Sequence, residues 1–136
     1  MVHKSHHPQH LRFHYPSFRL FLILFAIEVV IAVFFRDGWV RTLLGDVLVV
    51  MVIAYLIHAF FNIHLGIIAI GTLIFAYFIE LLQFLKLIDI LGWQDAQLAH
   101  LTLGSTFDWR DLVAYTIGAT IVIWQNKSKI GFNISR

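Results

Sequence analysis

The sequence contains no cysteine, so disulfide bonds, thiolate chemistry and metal sites built on cysteine are all excluded. Charged residues are scarce as well: they make up 13% of the 136 residues, whereas soluble domains carry about a quarter. Hydrophobic residues reach 60% of the chain, well above the usual share in a soluble domain. This composition predicts an integral membrane protein, and the length allows one domain.

The chain also lacks a strong excess of either charge. Ten Lys and Arg residues against eight Asp and Glu residues give a formal net charge of +2. This excess is too small to indicate a nucleic-acid partner, because such partners are bound through dense positive charge. The basic residues lie mainly near the termini, where they can meet anionic lipid headgroups. The expected partner is therefore the lipid bilayer, with no nucleic acid.

Four hydrophobic runs approach the roughly 20 residues that a membrane-spanning helix requires. They predict spans at residues 18–35, 43–61, 65–85 and 109–124. The fourth is the weakest, because polar residues interrupt it, and a soluble amphipathic helix is its alternative. Residues 86–105 mix polar and apolar side chains and predict a short interfacial helix or re-entrant loop. The predicted fold class is all-α, a polytopic membrane protein with four transmembrane helices.

The transmembrane domain is predicted to occupy residues 18–125, between two polar tails. Residues 1–17 hold five histidines and are predicted to be a disordered, His-rich cytoplasmic tail, whose spacing fits no fixed metal site. Residues 126–136 are predicted to be a short cytoplasmic tail. Six Lys and Arg residues then lie on the side of the termini and four on the other side, which favours cytoplasmic N- and C-termini.

Acidic residues are predicted to meet at one end of the bundle. Consecutive spans run in opposite directions, so the first and third spans end where the second and fourth begin. All eight acids lie in this half or, for Glu28, near the middle of the first span. This segregation predicts an acidic polar pocket, which is extracytoplasmic under the favoured orientation. The candidate ligand-binding residues are Glu28, Asp46, Glu80, Gln83, Asp108, Arg110, Asp111 and Tyr115.

Helical spacing supports two parts of this pocket. Glu80 and Gln83 are three residues apart and share one face of the third span. An ionisable group at membrane depth is costly unless it faces protein or water, so Glu80 is a functional candidate. The fourth span carries an inward stripe with the spacing i, i+3, i+7 and i+10, made of Asp108, Asp111, Tyr115 and Gly118. Small residues let helices approach closely, which we expect of Gly118 and, in the third span, of Gly66 and Gly71.

Three functional hypotheses and one structural hypothesis remain open for these residues. The first is a binding or envelope accessory protein that recognises a cationic or polyhydroxylated headgroup of an envelope lipid or amphiphilic ligand. The second is an intramembrane enzyme on a lipid-linked substrate, with Glu80 and Asp111 as acid and base. The third is a small proton-coupled carrier, which would need to be an oligomer. The structural hypothesis is helix pairing alone, through ion pairs with Arg41, Arg110 or Lys86.

Motifs that would indicate a cofactor or a hydrolytic site are missing. Acidic clusters can bind Ca²⁺ or Mg²⁺, but the sequence has neither a DxD nor an HExxH spacing. No Ser-His-Asp set is evident either, because the histidines fall in the tail or at the other end of the bundle, apart from His100. We therefore predict no metal and no cofactor.

Three blocks of sequence resemble a known family. They are residues 44–50 (LGDVLVV), 75–83 (FAYFIELLQ) and 103–118 (LGSTFDWRDLVAYTIG). In this order, over about residues 13–124, they resemble DUF2809, an uncharacterised bacterial membrane family whose name abbreviates domain of unknown function. The pair of Glu80 and Gln83 is also distantly similar to a motif of VanZ-like proteins. The resemblance implies a multi-pass protein of the bacterial inner membrane with about four helices and no established activity.

Overall fold

The structure, a computed structural model, describes residues 11–35, 38–86, 90–92, 97 and 107–134, with side chains described as far as Ser128. Four long helices lie within these residues. They are α1 (Tyr15–Phe34), α2 (Trp39–Phe60), α3 (Leu65–Phe84) and α4 (Trp109–Ile134).

The predicted all-α class is confirmed. Within the described residues, β structure is limited to an isolated bridge between Leu11 and Phe61. Residues 1–10 of the predicted tail lie outside the described residues. So does most of the predicted interfacial segment at residues 86–105.

Three of the helices, α1, α2 and α3, are long and apolar enough to cross a membrane. Their bounds agree with the predicted spans to within four residues. α1 begins early, at Tyr15, because the His14 side chain caps it by accepting a hydrogen bond from the Ser17 backbone N–H, and Pro16 suits a first turn. α2 begins early because Gly38, with a φ of +130°, sets the turn before it in a conformation that other residues rarely adopt.

α4 differs most from its prediction. α4 is the one described helix that is not apolar enough to qualify as a membrane span. A fourth transmembrane helix is therefore not established. α4 begins at Trp109, as predicted, where Asp108 caps it by accepting from the Arg110 backbone N–H over 2.9 Å. It continues to Ile134, through most of the predicted tail at residues 126–136. The apolar run ends near residue 124, and the helix continues beyond it because hydropathy sets the limits of a span and not those of a helix, which Gln and Lys also favour. The extension includes poorer helix formers as well, namely Asn126, Ser128, Gly131 and Asn133.

α2 is the central helix of the bundle. It packs against α1, α3 and α4, while α4 also packs against α3 and α1 packs mainly on α2. The His14 backbone N–H donates to the Ala59 carbonyl over 2.7 Å, so α1 begins beside the end of α2. Asn126, in the second half of α4, contacts His64, which caps the start of α3, over 3.1 Å. Consecutive helices therefore run in opposite directions, as predicted.

The hydrophobic core lies where α2 ends and α3 begins. Its buried residues are Met51, Ala54, Tyr55, Leu65, Ile68, Ala69 and Val122. Ser17 is the one fully buried residue of α1, which packs the partly buried side chains of Leu20, Phe21 and Leu24 against this core. The acidic residues Asp46, Glu80, Asp108 and Asp111 lie toward the opposite end of the bundle.

The predictions for the glycines have different outcomes. A Cβ atom on Gly118 would lie 2.5 Å from the backbone oxygen of Val47, so the missing side chain lets α4 touch α2, which confirms that prediction. A Cβ atom on Gly71 would meet nothing within 4 Å among the described atoms, and one on Gly66 would meet only His64. Neither glycine brings two described helices together, so the prediction for these two is wrong.

Candidate binding site at the acidic end of the bundle

Carboxylates from three helices meet where α3 ends and where α2 and α4 begin. Asp46 comes from α2, Glu80 from α3, and Asp108 and Asp111 from the start of α4. These four residues, here called the acidic cluster, interact electrostatically with one another. The predicted stripe on α4 therefore faces its neighbours, because Asp111 meets Asp46 on α2 and Tyr115 meets Glu80 on α3.

Glu80 is the most deeply buried ionisable group in this cluster, with 2% of its surface exposed. The Tyr115 hydroxyl donates to its Oε1 over 3.2 Å, and the backbone of Asp108 hydrogen-bonds to the same side chain. The second oxygen, Oε2, is buried and receives no hydrogen bond from the described part of the chain. Leaving such an oxygen without a donor costs about 1–3 kcal/mol, so a donor that reached it would stabilise the site.

Asp46 and Asp111 have side chains within hydrogen-bonding reach of each other, across the contact between α2 and α4. Two carboxyl groups can bond in this way only when they share a proton. Asp46 Oδ2 is buried and has no hydrogen-bond partner in the described part of the chain. The pair can therefore hold a proton or, once ionised, attract a cation or a neutral donor.

A cavity of about 510 Å³ opens beside this pair. Its described lining comes from α1 (Glu28, Ile31, Ala32), α2 (Arg41, Thr42, Gly45, Asp46, Val49) and α4 (Tyr115). We call it the lateral cavity, because it lies between α1 and α4 over the surface of α2. Two carboxylates, one guanidinium and one phenol converge there on otherwise small or apolar side chains, and the volume suits a small-molecule site.

A second cavity, of about 500 Å³, adjoins the first. Its described lining consists of Trp39, Thr42, Leu43, Asp108, Trp109, Arg110, Asp111 and Val113. Thr42 lines both cavities, so the two are neighbours at the start of α2. Trp39 and Trp109 are exposed at helix starts, in positions that suit a membrane–water interface.

The structure brings together seven of the eight residues that the sequence singled out. The lateral cavity contains Glu28, Asp46 and Tyr115, and the second cavity contains Asp108, Arg110 and Asp111. Glu80 joins them through its hydrogen bond to Tyr115. Gln83 is half-buried and is absent from the described lining of both cavities.

Arg41 is the residue whose role the sequence did not reveal. The sequence predicts it as an ion-pair partner for the acids, and the structure adds that it lines the lateral cavity with Glu28 and Asp46. The signal was available in the spacing, since Arg41, Gly45 and Val49 follow one another at i, i+4 and i+8 on one face of α2.

A second polar group lies at the opposite end of the bundle. The Ser17 side chain is 3% exposed, and its Oγ lies 2.8 Å from Nδ1 of His14 and 2.6 Å from Nδ1 of His58. The Arg12 backbone N–H donates to the Phe60 carbonyl next to it. Sequence reasoning missed this group because two of its members lie within the predicted tail. The hydrogen bonds of this polar group hold the start of α1 against the end of α2.

In the described part of the chain, no three His, Asp or Glu side chains are arranged so that they could hold a metal ion. What the acidic cluster offers is a set of acceptor oxygens, two of which have no donor among the described groups.

Residues 35–119 match the family described as protein of unknown function (DUF2809). The match covers 85 of the 136 residues. This chain belongs to DUF2809. The DUF2809 region runs from the end of α1 to the middle of α4, so it contains the whole acidic cluster and Tyr115 but not Glu28. No curated protein and no solved structure matches the chain.

Proposed function

We propose that this DUF2809 protein is an integral membrane binding protein, an envelope accessory, whose acidic end recognises the cationic headgroup of a membrane amphiphile. The bound molecule is an envelope lipid or an amphiphilic ligand. In this proposal α4 is the fourth span, the protein lies in the bacterial inner membrane with both termini in the cytoplasm, and the acidic end faces outward.

The packing of α4 supports its assignment as a span. It lies against α2 and α3, both of which are apolar enough to cross a membrane. Val122 of α4 belongs to the same buried core as residues of those two helices. A helix held against two spans in this way shares their environment. The distribution of Lys and Arg supports the orientation.

One observation carries the proposal: Glu28 and Asp46 line the same cavity, and the Oδ2 oxygen of Asp46 is buried without a hydrogen-bond partner in the described structure. An ammonium group brings N–H donors and positive charge together, and charge-assisted hydrogen bonds are the stronger kind. A cation in the lateral cavity would therefore satisfy the acceptor and relieve the repulsion among the carboxylates. The apolar part of the same lining suits the hydrocarbon next to the headgroup.

A second candidate function is acid–base catalysis on a lipid-linked substrate. The contact between Asp46 and Asp111 favours it, because paired carboxyl groups can divide into a proton donor and a proton acceptor. Mass spectrometry of envelope lipids incubated with the purified protein would detect turnover. A product that forms with the native protein but not with Asp111→Asn supports catalysis, and no product across a broad panel removes it.

Binding of a single-chain amine tests the main proposal. The purified protein in a neutral detergent is titrated with hexadecylamine and, separately, with hexadecyl phosphate, which has the same tail and the opposite charge. We expect the amine to bind and the phosphate not to bind. Asp46→Asn should weaken amine binding by about tenfold, because it removes a charged hydrogen-bond partner.

Lys86→Gln is the matched control, since Lys86 is exposed just after the end of α3 and lines neither cavity in the described structure. Its amine affinity should equal that of the native chain. Equal binding of both amphiphiles would mean that the tail alone drives association. Unchanged amine affinity in Asp46→Asn would contradict the proposal.

A further inference from the structure

We infer that the lateral cavity selects ammonium groups by the number of N–H bonds that they carry, and that Tyr115 is a residue that sets this selectivity. A primary ammonium on a membrane amphiphile binds most tightly, and a trimethylammonium on the same tail binds least tightly. This inference rests on the proposed function and narrows it, since that function requires only a positive charge.

The first argument is the environment of the Asp46 carboxylate. Asp46 belongs to the described lining of the cavity, yet its Oδ2 atom is buried and has no hydrogen-bond partner in the described structure. A charged N–H donor approaches such an oxygen closely, to about 2.7–2.9 Å between nitrogen and oxygen. A methyl group on the nitrogen donates no hydrogen bond and holds the charge farther away. The buried oxygen therefore favours a nitrogen that still carries hydrogen.

The second argument is the direction of the Tyr115 hydroxyl. Tyr115 lines the cavity, and its hydroxyl donates to Oε1 of the buried Glu80 over 3.2 Å. The phenol proton is thus committed to Glu80, and the phenol oxygen keeps its lone pairs as acceptors. An N–H donor in the cavity can use such an acceptor, whereas a methyl group cannot. Glu80 is in this way a positioning residue that acts through Tyr115.

The third argument is the number of groups that converge. An acceptor comes from each of three helices, with Glu28 on α1, Asp46 on α2 and Tyr115 on α4. A primary ammonium carries three N–H donors, so each acceptor can take one, and every added methyl group removes a donor. Arg41 lines the same cavity but already interacts within the chain, so no ligand group is assigned to it.

The fourth argument is the scarcity of aromatic rings. Proteins bind trimethylammonium groups through cages of aromatic faces, because such a cation offers no hydrogen bond. Tyr115 is the single aromatic residue in the described lining of the lateral cavity. The cavity therefore has little to offer a trimethylammonium in place of the hydrogen bonds that this group cannot make.

The test is a series of four amphiphiles that share one tail and differ in N-methylation: hexadecylamine, its N-methyl and N,N-dimethyl derivatives, and hexadecyltrimethylammonium. The full chain in a neutral detergent is titrated with each at neutral pH, where all four are cations because alkylamines titrate in the range of lysine. We expect the affinity to fall along the series, with the primary amine about tenfold tighter than the trimethylammonium, in line with one charged hydrogen bond. Methyl groups add apolar surface, so association through apolar contact alone would give the reverse order.

Tyr115→Phe tests the residue assigned to this selectivity. It should lower the ratio of primary-amine to trimethylammonium affinity by about fivefold, while trimethylammonium binding stays unchanged and shows that the variant is folded. Tyr77→Phe is the matched control, because its hydroxyl contacts Thr116 and Tyr77 lines neither cavity in the described structure. This control should keep the native ratio. The order of affinities in the native protein tests the selectivity without any variant.

The outcomes separate this inference from the proposed function. Equal affinities across the series, or tightest binding of the trimethylammonium, overturn the inference alone, because a cationic amphiphile is still bound. A native ratio in Tyr115→Phe overturns the role of Tyr115. Failure of the native protein to bind any of the four cations removes the proposed function as well. Butylamine, which has the ammonium without the long tail, should compete far more weakly; competition as strong as that of hexadecylamine would assign the site to a soluble amine and contradict the amphiphile.

Discussion

Gly118 of α4 lies directly against the backbone of Val47 in α2, where a Cβ atom would come within 2.5 Å of the carbonyl oxygen. This contact holds α4 against α2 about two turns beyond Asp111 and so helps to set the spacing at which Asp111 reaches Asp46. Because the obstacle is backbone and not a flexible side chain, a larger residue can be accommodated only if the helices separate.

We expect Gly118→Ala to lower the free energy of unfolding by about 1–3 kcal/mol, the usual cost of overpacking a tight contact. Unfolding in mixed micelles of increasing denaturing detergent measures it. Gly71→Ala is the matched control, because open space surrounds that position among the described atoms. The control should be neutral or stabilise by up to about 1 kcal/mol, since Ala favours helix over Gly. If both substitutions changed the free energy of unfolding equally, the close contact between Gly118 and Val47 would be contradicted.

Tyr115→Phe removes the hydroxyl that donates to Glu80 Oε1. The carboxylate is buried and already has one oxygen without a donor, so we expect a loss of about 1–3 kcal/mol in unfolding free energy. Tyr77→Phe deletes a comparable hydroxyl, which contacts Thr116 at an exposed site, and should cost less than about 0.5 kcal/mol. Similar losses in both variants would show that burial of Glu80 does not govern the effect.

Asp46→Asn should separate stability from binding. The amide can donate to Asp111 and removes one of the crowded charges, so the free energy of unfolding should stay the same or rise. Amine binding should fall, as argued above. Thermal unfolding and amine titration on one preparation measure both quantities. A variant that loses stability and binding together would indicate a purely structural role for this carboxylate.

Ser17→Ala tests the polar group at the opposite end. It removes the hydroxyl that contacts both His14 and His58 in a site that is 3% exposed. We expect a loss of about 1–2 kcal/mol in unfolding free energy, with amine binding unchanged. Ser128→Ala, which removes an exposed hydroxyl bonded to the Gln125 carbonyl, should stay within about 0.5 kcal/mol. Loss of amine binding in Ser17→Ala would show that the two ends are coupled.

The sequence predicted the helices and their directions, and through them the meeting of Asp46, Glu80 and Asp111. Alternating apolar spans leave little choice of topology, and the spacing of Asp111, Tyr115 and Gly118 follows the helical repeat. The prediction from hydropathy failed at the end of α4, where the helix continues to Ile134 although the apolar run ends near residue 124.

The sequence also failed wherever a role depends on a partner distant along the chain. The sequence predicts a disordered tail at Ser17, because nothing nearby in the sequence indicates that His58, 41 residues away, bonds to it. The sequence predicts close helix packing at Gly71 because glycine permits it, but no other described helix lies beside Gly71 in the structure. The position of Arg41 in a cavity was not predictable either, because three helices together form that cavity.

Protection of a single cysteine tests the central claim most directly, and the cysteine-free chain gives no background labelling. Val49→Cys places a thiol in the lateral cavity while leaving every acid in place. A water-soluble cationic thiol reagent should label it, and hexadecylamine should slow that labelling in proportion to its binding, whereas Asn62→Cys, exposed at the other end, should label equally with and without amine. If hexadecylamine at saturating concentration leaves the labelling rate of Val49→Cys unchanged, the lateral cavity is not the binding site.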